Sequence, residues 1–163
     1  MRSSIARLIG AYGHARIPSS GLGRLPEGWQ VVNDVPVEET GARIDHVLVG
    51  PAGVFALSVK NLTGTVWIGA SGVRVNGHAT DYLQTSRHDA HRATRLLSEV
   101  LDLPVDVRPV IAILADGWTV QEPPTDVFIG PPRGVKDWLC RLSSVLSPRD
   151  VAAIAAAAAR LEP

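Results

Sequence analysis

Apolar residues recur along the chain with two different periods, and each change of period marks a new element. Trp29 to Val37 (WQVVNDVPV) alternates as a strand does, and Pro36 marks its end or an edge position. Glu38 to Gly41 is a polar turn. Two apolar runs follow, 43–50 and 53–60, folded about Gly50-Pro51-Ala52-Gly53 as a hairpin. Residues 64–69 and 72–76 read as a second hairpin turned by Ala70-Ser71-Gly72. The period then lengthens. Tyr82, Leu83, Ala90, Ala93, Leu97, Val100 and Leu101 fall on one helical face, predicting a helix over 80–102 that Pro104 stops.

Residues 107–115 (VRPVIAILA) form a nearly continuous apolar run, the mark of a strand covered on both faces. A shorter run, 125–130, follows a Pro-containing loop. Val135, Leu139, Leu142 and Leu146 make one stripe of a helix over 134–146. The last helix opens on a Ser147 cap, Pro148 in its first turn and Asp150 at the positive end of its dipole. At the other end of the chain, Ile5, Leu8, Ile9 and Tyr12 predict a helix over 3–15, weakened by Gly10 and Gly13. Residues 18–28 read as a loop. An antiparallel opening followed by a β-α-β crossover predicts a mixed α/β fold, a central mixed β-sheet flanked by helices. The 163 residues are expected to form a single domain, 1–163.

Composition narrows the function classes. Sixteen basic residues balance 16 acidic ones, so no overall charge draws the chain to nucleic acid or an anionic membrane. The distribution is uneven, since residues 1–26 hold Arg2, Arg7, Arg16 and Arg24 and no acid. A lone cysteine, Cys140, fits a reducing compartment and reads as structural. No apolar run is long enough for a membrane helix, and no signal peptide is legible, so a cytoplasmic protein is expected.

The chemistry concentrates in the hairpin 43–60. Asp45, Ser58 and Lys60 follow the spacing D-x12-S-x-K. Strand alternation puts residues 58 and 60 on one face. With a carboxylate at 58, two acids on adjacent strands would make a hard-oxygen site for a divalent cation, with the Val59 carbonyl as a further ligand. The lysine would orient a water and neutralise charge developing on a phosphate.

The segment IDHVLVGPAGVFALSVKNLTGTV resembles the core of the nuclease-related domain (NERD) family, carried by Ile44, Asp45, His46, Gly50, Pro51, Gly53, Val54, Phe55, Lys60, Asn61 and Gly64. Gln84 matches the glutamine that family carries near the start of its next helix. The resemblance covers most of 28–130. It implies a restriction-endonuclease-like core of the PD-(D/E)XK superfamily and Mg²⁺- or Mn²⁺-dependent cleavage of DNA phosphodiesters. It further implies catalytic roles at Asp45, Ser58, Lys60 and Gln84, with metal held by Asp45 and the Val59 carbonyl.

Two departures stand out. The glutamate of the family's E-x-K is Ser58, and His14 of Gly10-Ala11-Tyr12-Gly13-His14 stands where a first-helix glutamate is usual. Asp45 alone remains of the usual acidic set, so the metal would be weakly held or absent. Two functions stay open: a degenerate nuclease site acting on or binding DNA, and a non-catalytic module of the same fold that binds nucleic acid or protein. A third class makes Asp45–Lys60 a structural ion pair. On the long helix, Gln84, His88, His91 and Arg95 form a polar stripe that either lines the site or is a solvated face. Asp81 and Asp89 are candidate migrated acids, with helix capping as the alternative. His46 points to the opposite face from Asp45, as a packed or hydrogen-bonded histidine. Trp29 and Trp67 read as core or partly exposed strand residues.

Overall fold

The computed structural model describes the backbone of residues 8–9, 16–17 and 22–162, and side chains over 22–162. Among these residues, β1 (Leu8–Ile9), β4 (Gln30–Pro36), β5 (Arg43–Gly50), β6 (Gly53–Asn61), β10 (Val107–Leu114) and β12 (Phe128–Gly130) form one sheet in the order β1-β4-β5-β6-β10-β12. Neighbours from β1 to β6 are antiparallel, whereas β6-β10 and β10-β12 are parallel. β2 (Arg16–Ile17) and β3 (Gly23–Arg24) pair separately. A smaller sheet of β7 (Thr65–Gly69), β8 (Gly72–Val75), β9 (His78–Ala79) and β11 (Gly117–Val120) runs in the order β11-β7-β8-β9. Three helices complete the described chain: α1 (Tyr82–Leu101), α2 (Pro132–Arg141) and α3 (Pro148–Ala159). The chain is thus mixed α/β with a mixed central sheet, and this is consistent with a restriction-endonuclease-like core.

Two helices cover one face of the sheet. Ala90, Ala93 and Leu97 of α1 and Val151, Ile154 and Ala155 of α3 pack on Val32, Val47, Val49, Val54 and Ala56. On the other face, Val135 and Leu139 of α2 pack on Leu48, Phe55, Leu57, Val110 and Ala112. β10 is therefore buried on both faces, as its unbroken apolar run requires; Val110, Ile111, Ala112 and Ile113 are 0% exposed. The β5-β6 turn is held close to the core because Gly50 lies against the Trp29 ring, where any side chain would collide.

Several sequence expectations change. Of the helix expected over 3–15, only Leu8 and Ile9 are described, and they form a strand paired with Val32 and Val31; the rest lies outside the described residues. Pairing to β4 outweighs a local helical pattern weakened by two glycines. The helix expected over 134–146 ends at Arg141, and Leu142 is already extended. The freed N–H groups of Val145 and Leu146 donate to the Pro51 carbonyl, which ties this segment to the β5-β6 turn. Val100, assigned to the apolar face of α1, is 61% exposed. Cys140 is exposed. β11 has no strong alternation and is recruited by parallel pairing with β7. The Ser147 cap forms as expected, its Oγ accepting from the Asp150 N–H at 3.2 Å.

Candidate functional site

The β5-β6 ladder runs from Gly50↔Gly53 to His46↔Leu57 and then opens. One residue further, the register sets Asp45 across from Ser58. There the strands no longer exchange backbone bonds, and the Val59 N–H instead donates to Asp45 Oδ2 at 3.2 Å. The side chains at 56, 58 and 60 share the face covered by α1. Ala56 and Ser58 are short, and so are Thr85 and Ser86 on the helix above them. A slot of about 120 Å³ remains between sheet and helix, lined by Arg43, Ile44, Asp45, Ala56, Leu57, Ser58, Lys60, Thr85, Ser86 and Asp89. That volume is well above the roughly 10–15 Å³ that one water needs.

The charges in the slot are unevenly partnered. Arg43 is held at the rim by Asp34, to whose carboxylate and carbonyl it donates. Lys60 makes no ion pair among the described residues, and its ammonium lies 4.8 Å from the centre of the Tyr82 ring at the start of α1. The structural ion pair between Asp45 and Lys60 is therefore not formed. The two residues face the same slot with room between them. Asp45 is exposed and Lys60 half-buried.

Asp89 enters this slot from α1, three and four residues beyond Ser86 and Thr85 and so on the same helical face. It does not cap the helix. Burial raises its carboxyl above the ordinary range; the nearby Glu38 and Asp45 charges push the same way, and His88 and Lys60 oppose them. Asp81 occupies the cap position of α1 but makes no side-chain cap hydrogen bond. Ser86 is buried, and its Oγ has no hydrogen-bond partner among the described residues. An orphaned buried hydroxyl costs on the order of 1–3 kcal/mol.

The polar stripe of α1 divides. Gln84, His88, His91 and Arg95 are all exposed, and none lines the slot. The Tyr82 ring is the part of α1 that lies against the Lys60 ammonium. His88 Nε2 meets Glu38 Oε1 at 2.6 Å, and Arg92 Nε donates to the same oxygen at 2.9 Å. Hydrogen bonds from His88, Thr40 and Arg92, in that order, hold the Glu38 carboxyl down to about 2 from its ordinary 4.5. This clamp fastens the β4-β5 turn to α1. His46 sits on the other face of β5, its Nδ1 2.6 Å from Asn33 Oδ1. Desolvation lowers its pKa against the opposing pull of Asp45. Trp29 is buried and Trp67 half-buried under Arg74. His14 and the side chains of Arg2, Arg7 and Arg16 lie outside the described residues.

Sequence reasoning named Asp45, Ser58 and Lys60 on the strands and Asp89 as a candidate migrated acid, and it missed Thr85 and Ser86 on the helix side of the slot. The available signal was Ser86, a polar residue four positions before Ala90 in an otherwise apolar stripe.

A mixed sheet flanked by helices, with an aspartate and a lysine at the open end of its antiparallel hairpin, defines the class, a mixed α/β domain. The chain belongs to the nuclease-related domain (NERD) family, whose model matches residues 12–114. No curated protein and no solved structure matches the chain.

The family implies a divalent metal, and the donor set tests it. Among the described residues no three His, Cys, Asp or Glu side chains converge, so there is no all-protein cage. The slot offers carboxylate and hydroxyl oxygens and an orphaned buried Oγ. Hard oxygen donors in this number suit Mg²⁺ or Mn²⁺ shared with a substrate phosphate, since Mg²⁺ is commonly held by one or two carboxylates plus phosphates. The residues fit the metal in that shared form.

Proposed function

We propose that this nuclease-related domain uses the slot between β6 and α1 as a degenerate PD-(D/E)XK-type site that acts on or binds DNA phosphodiesters. The observation that carries the reading is Lys60, an ammonium that makes no ion pair among the described residues, lining the same slot as Asp45 and Ser58. A phosphate is the natural counter-charge for such a group. Asp45 and the Val59 carbonyl are the metal ligands in this reading. When bound, the metal would polarise a phosphoryl oxygen and lower the pKa of a water. Lys60 neutralises charge developing on the phosphate and orients the attacking water. Ser58 lends a neutral hydroxyl in place of a charge. Gln84 is given no part.

A second reading, a non-catalytic module that binds nucleic acid, is favoured by one specific contact. One of the two Asp45 carboxylate oxygens, Oδ2, already accepts the Val59 N–H. The two readings separate in one experiment. Anisotropy of a short DNA duplex, with Mg²⁺ present, is expected to show binding that weakens with salt. Lys60→Ala is expected to weaken it about tenfold, as loss of one charge-assisted hydrogen bond does. Unchanged affinity in Lys60→Ala, or binding insensitive to salt, sinks both. Plasmid cleavage that disappears in Lys60→Ala selects the nuclease, and binding without cleavage selects the module.

A further inference from the structure

We infer that Asp89 is the second carboxylate of the slot, so that Asp45 from β5 and Asp89 from α1 together hold a divalent cation that a phosphate completes. This rests on the reading of the slot as a phosphodiester site.

A glutamate at position 58 would project from β6 toward α1. Ser58 leaves that space empty, and Asp89 faces it from the opposite wall. The missing negative charge therefore returns from the helix rather than the strand. Three features support the exchange. Asp45, Ser58, Lys60 and Asp89 line one slot, so a cation between the acids would lie beside the lysine. Among the described residues that line it, every side-chain oxygen is carboxylate or hydroxyl, with no sulfur or imidazole, which selects Mg²⁺ or Mn²⁺ over zinc or copper. Independently of the acids, buried Ser86 lines the same slot and its Oγ has no partner among the described residues, as a hydroxyl reserved for a ligand or its water would.

Charge balance agrees. Arg43 is neutralised by Asp34, leaving two carboxylates against Lys60 and one net negative charge. A divalent cation reverses that sign, and one phosphodiester brings the slot to neutrality. Neither ligand balances it alone.

The test is Mn²⁺ titration of the full chain, followed by calorimetry and by Mn²⁺ electron paramagnetic resonance. Wild type is expected to bind Mn²⁺ weakly, and more tightly with a non-hydrolysable oligonucleotide present. Asp89→Asn keeps the shape of the side chain and is expected to weaken Mn²⁺ binding about tenfold, because ligand charge sets affinity. Ser58→Glu added to Asp89→Asn is expected to restore it, which a merely misfolded protein would not allow. Wild-type Mn²⁺ affinity in Asp89→Asn overturns the inference and leaves the phosphodiester reading standing. Lys60-dependent DNA binding with no Mn²⁺ binding does the same. If neither Mn²⁺ nor DNA binds, the inference and the reading fall together.

Discussion

Along α1, the half from Ala90 onward and the half before it face the same side of the molecule but meet it differently. Ala90, Ala93 and Leu97 close against Val47, Val49, Val54 and Ala56 with α3 alongside, and the hydroxyls of Thr94 and Ser98 are taken up by the backbone of Val107 and Val105. Before Ala90 the helix presents Thr85, Ser86 and Asp89, and the sheet answers with Ser58 and Lys60. The backbone geometry is the same in both halves. Side-chain length and polarity differ, and they turn a sealed interface into a slot. A helix need not break to make a site; a few short polar residues set into its apolar stripe suffice.

The largest expected effect lies in the sealed half. Leu97→Ala should destabilise the fold by about 2–5 kcal/mol, read from urea unfolding, because its apolar neighbours cannot collapse fully into the cavity. DNA affinity should stay at the wild-type value. A loss of affinity in the folded variant would mean the two halves are coupled.

The clamp beside the slot gives a pH dependence of smaller size. The folded Glu38 carboxyl lies at about 2, below its ordinary 4.5. A lowered value adds stability above the unfolded pKa and loses it as pH falls through the folded one. The urea midpoint should therefore drop between about pH 4.5 and about pH 2, the two limits of this group. Glu38→Gln should flatten part of that drop, and an unchanged profile in this variant would show that the His88–Glu38–Arg92 contact does not form in solution. The smallest effect is expected at the boundary between the halves. Ser86→Ala removes an unpartnered hydroxyl and should leave stability within roughly 1 kcal/mol, on the stabilising side. A clear loss would show that Ser86 has a partner in the free protein.

Much of this was legible before any coordinates. The spacing of Asp45, Ser58 and Lys60 is set by strand alternation and a four-residue turn, both local, so the sequence alone determined which side chains share a face of the hairpin. Continuous apolarity determined that β10 is covered on both faces, and the Ser147-Pro148-x-Asp150 pattern determined the start of α3. Other features depend on contacts far apart in the chain. Leu8 and Ile9 became a strand because β4 had an unpaired edge, which no local pattern records. Arg141 ended α2 because the segment after it is tied to Pro51, ninety residues earlier in the chain.

The same holds for the helix wall of the slot. Gln84 and Asp89 are both polar residues of α1, and their order in the sequence does not say which one faces the sheet. The rotation of α1, fixed by Leu83, Ala90, Ala93 and Leu97 finding their places in the core, turned Asp89 and Ser86 inward and left Gln84 and His88 exposed. The sequence by itself determined the strand side of this site, because period-two alternation is a local property. Only the tertiary structure decided the helix side, because a helix's rotation is set by the packing of its whole apolar face.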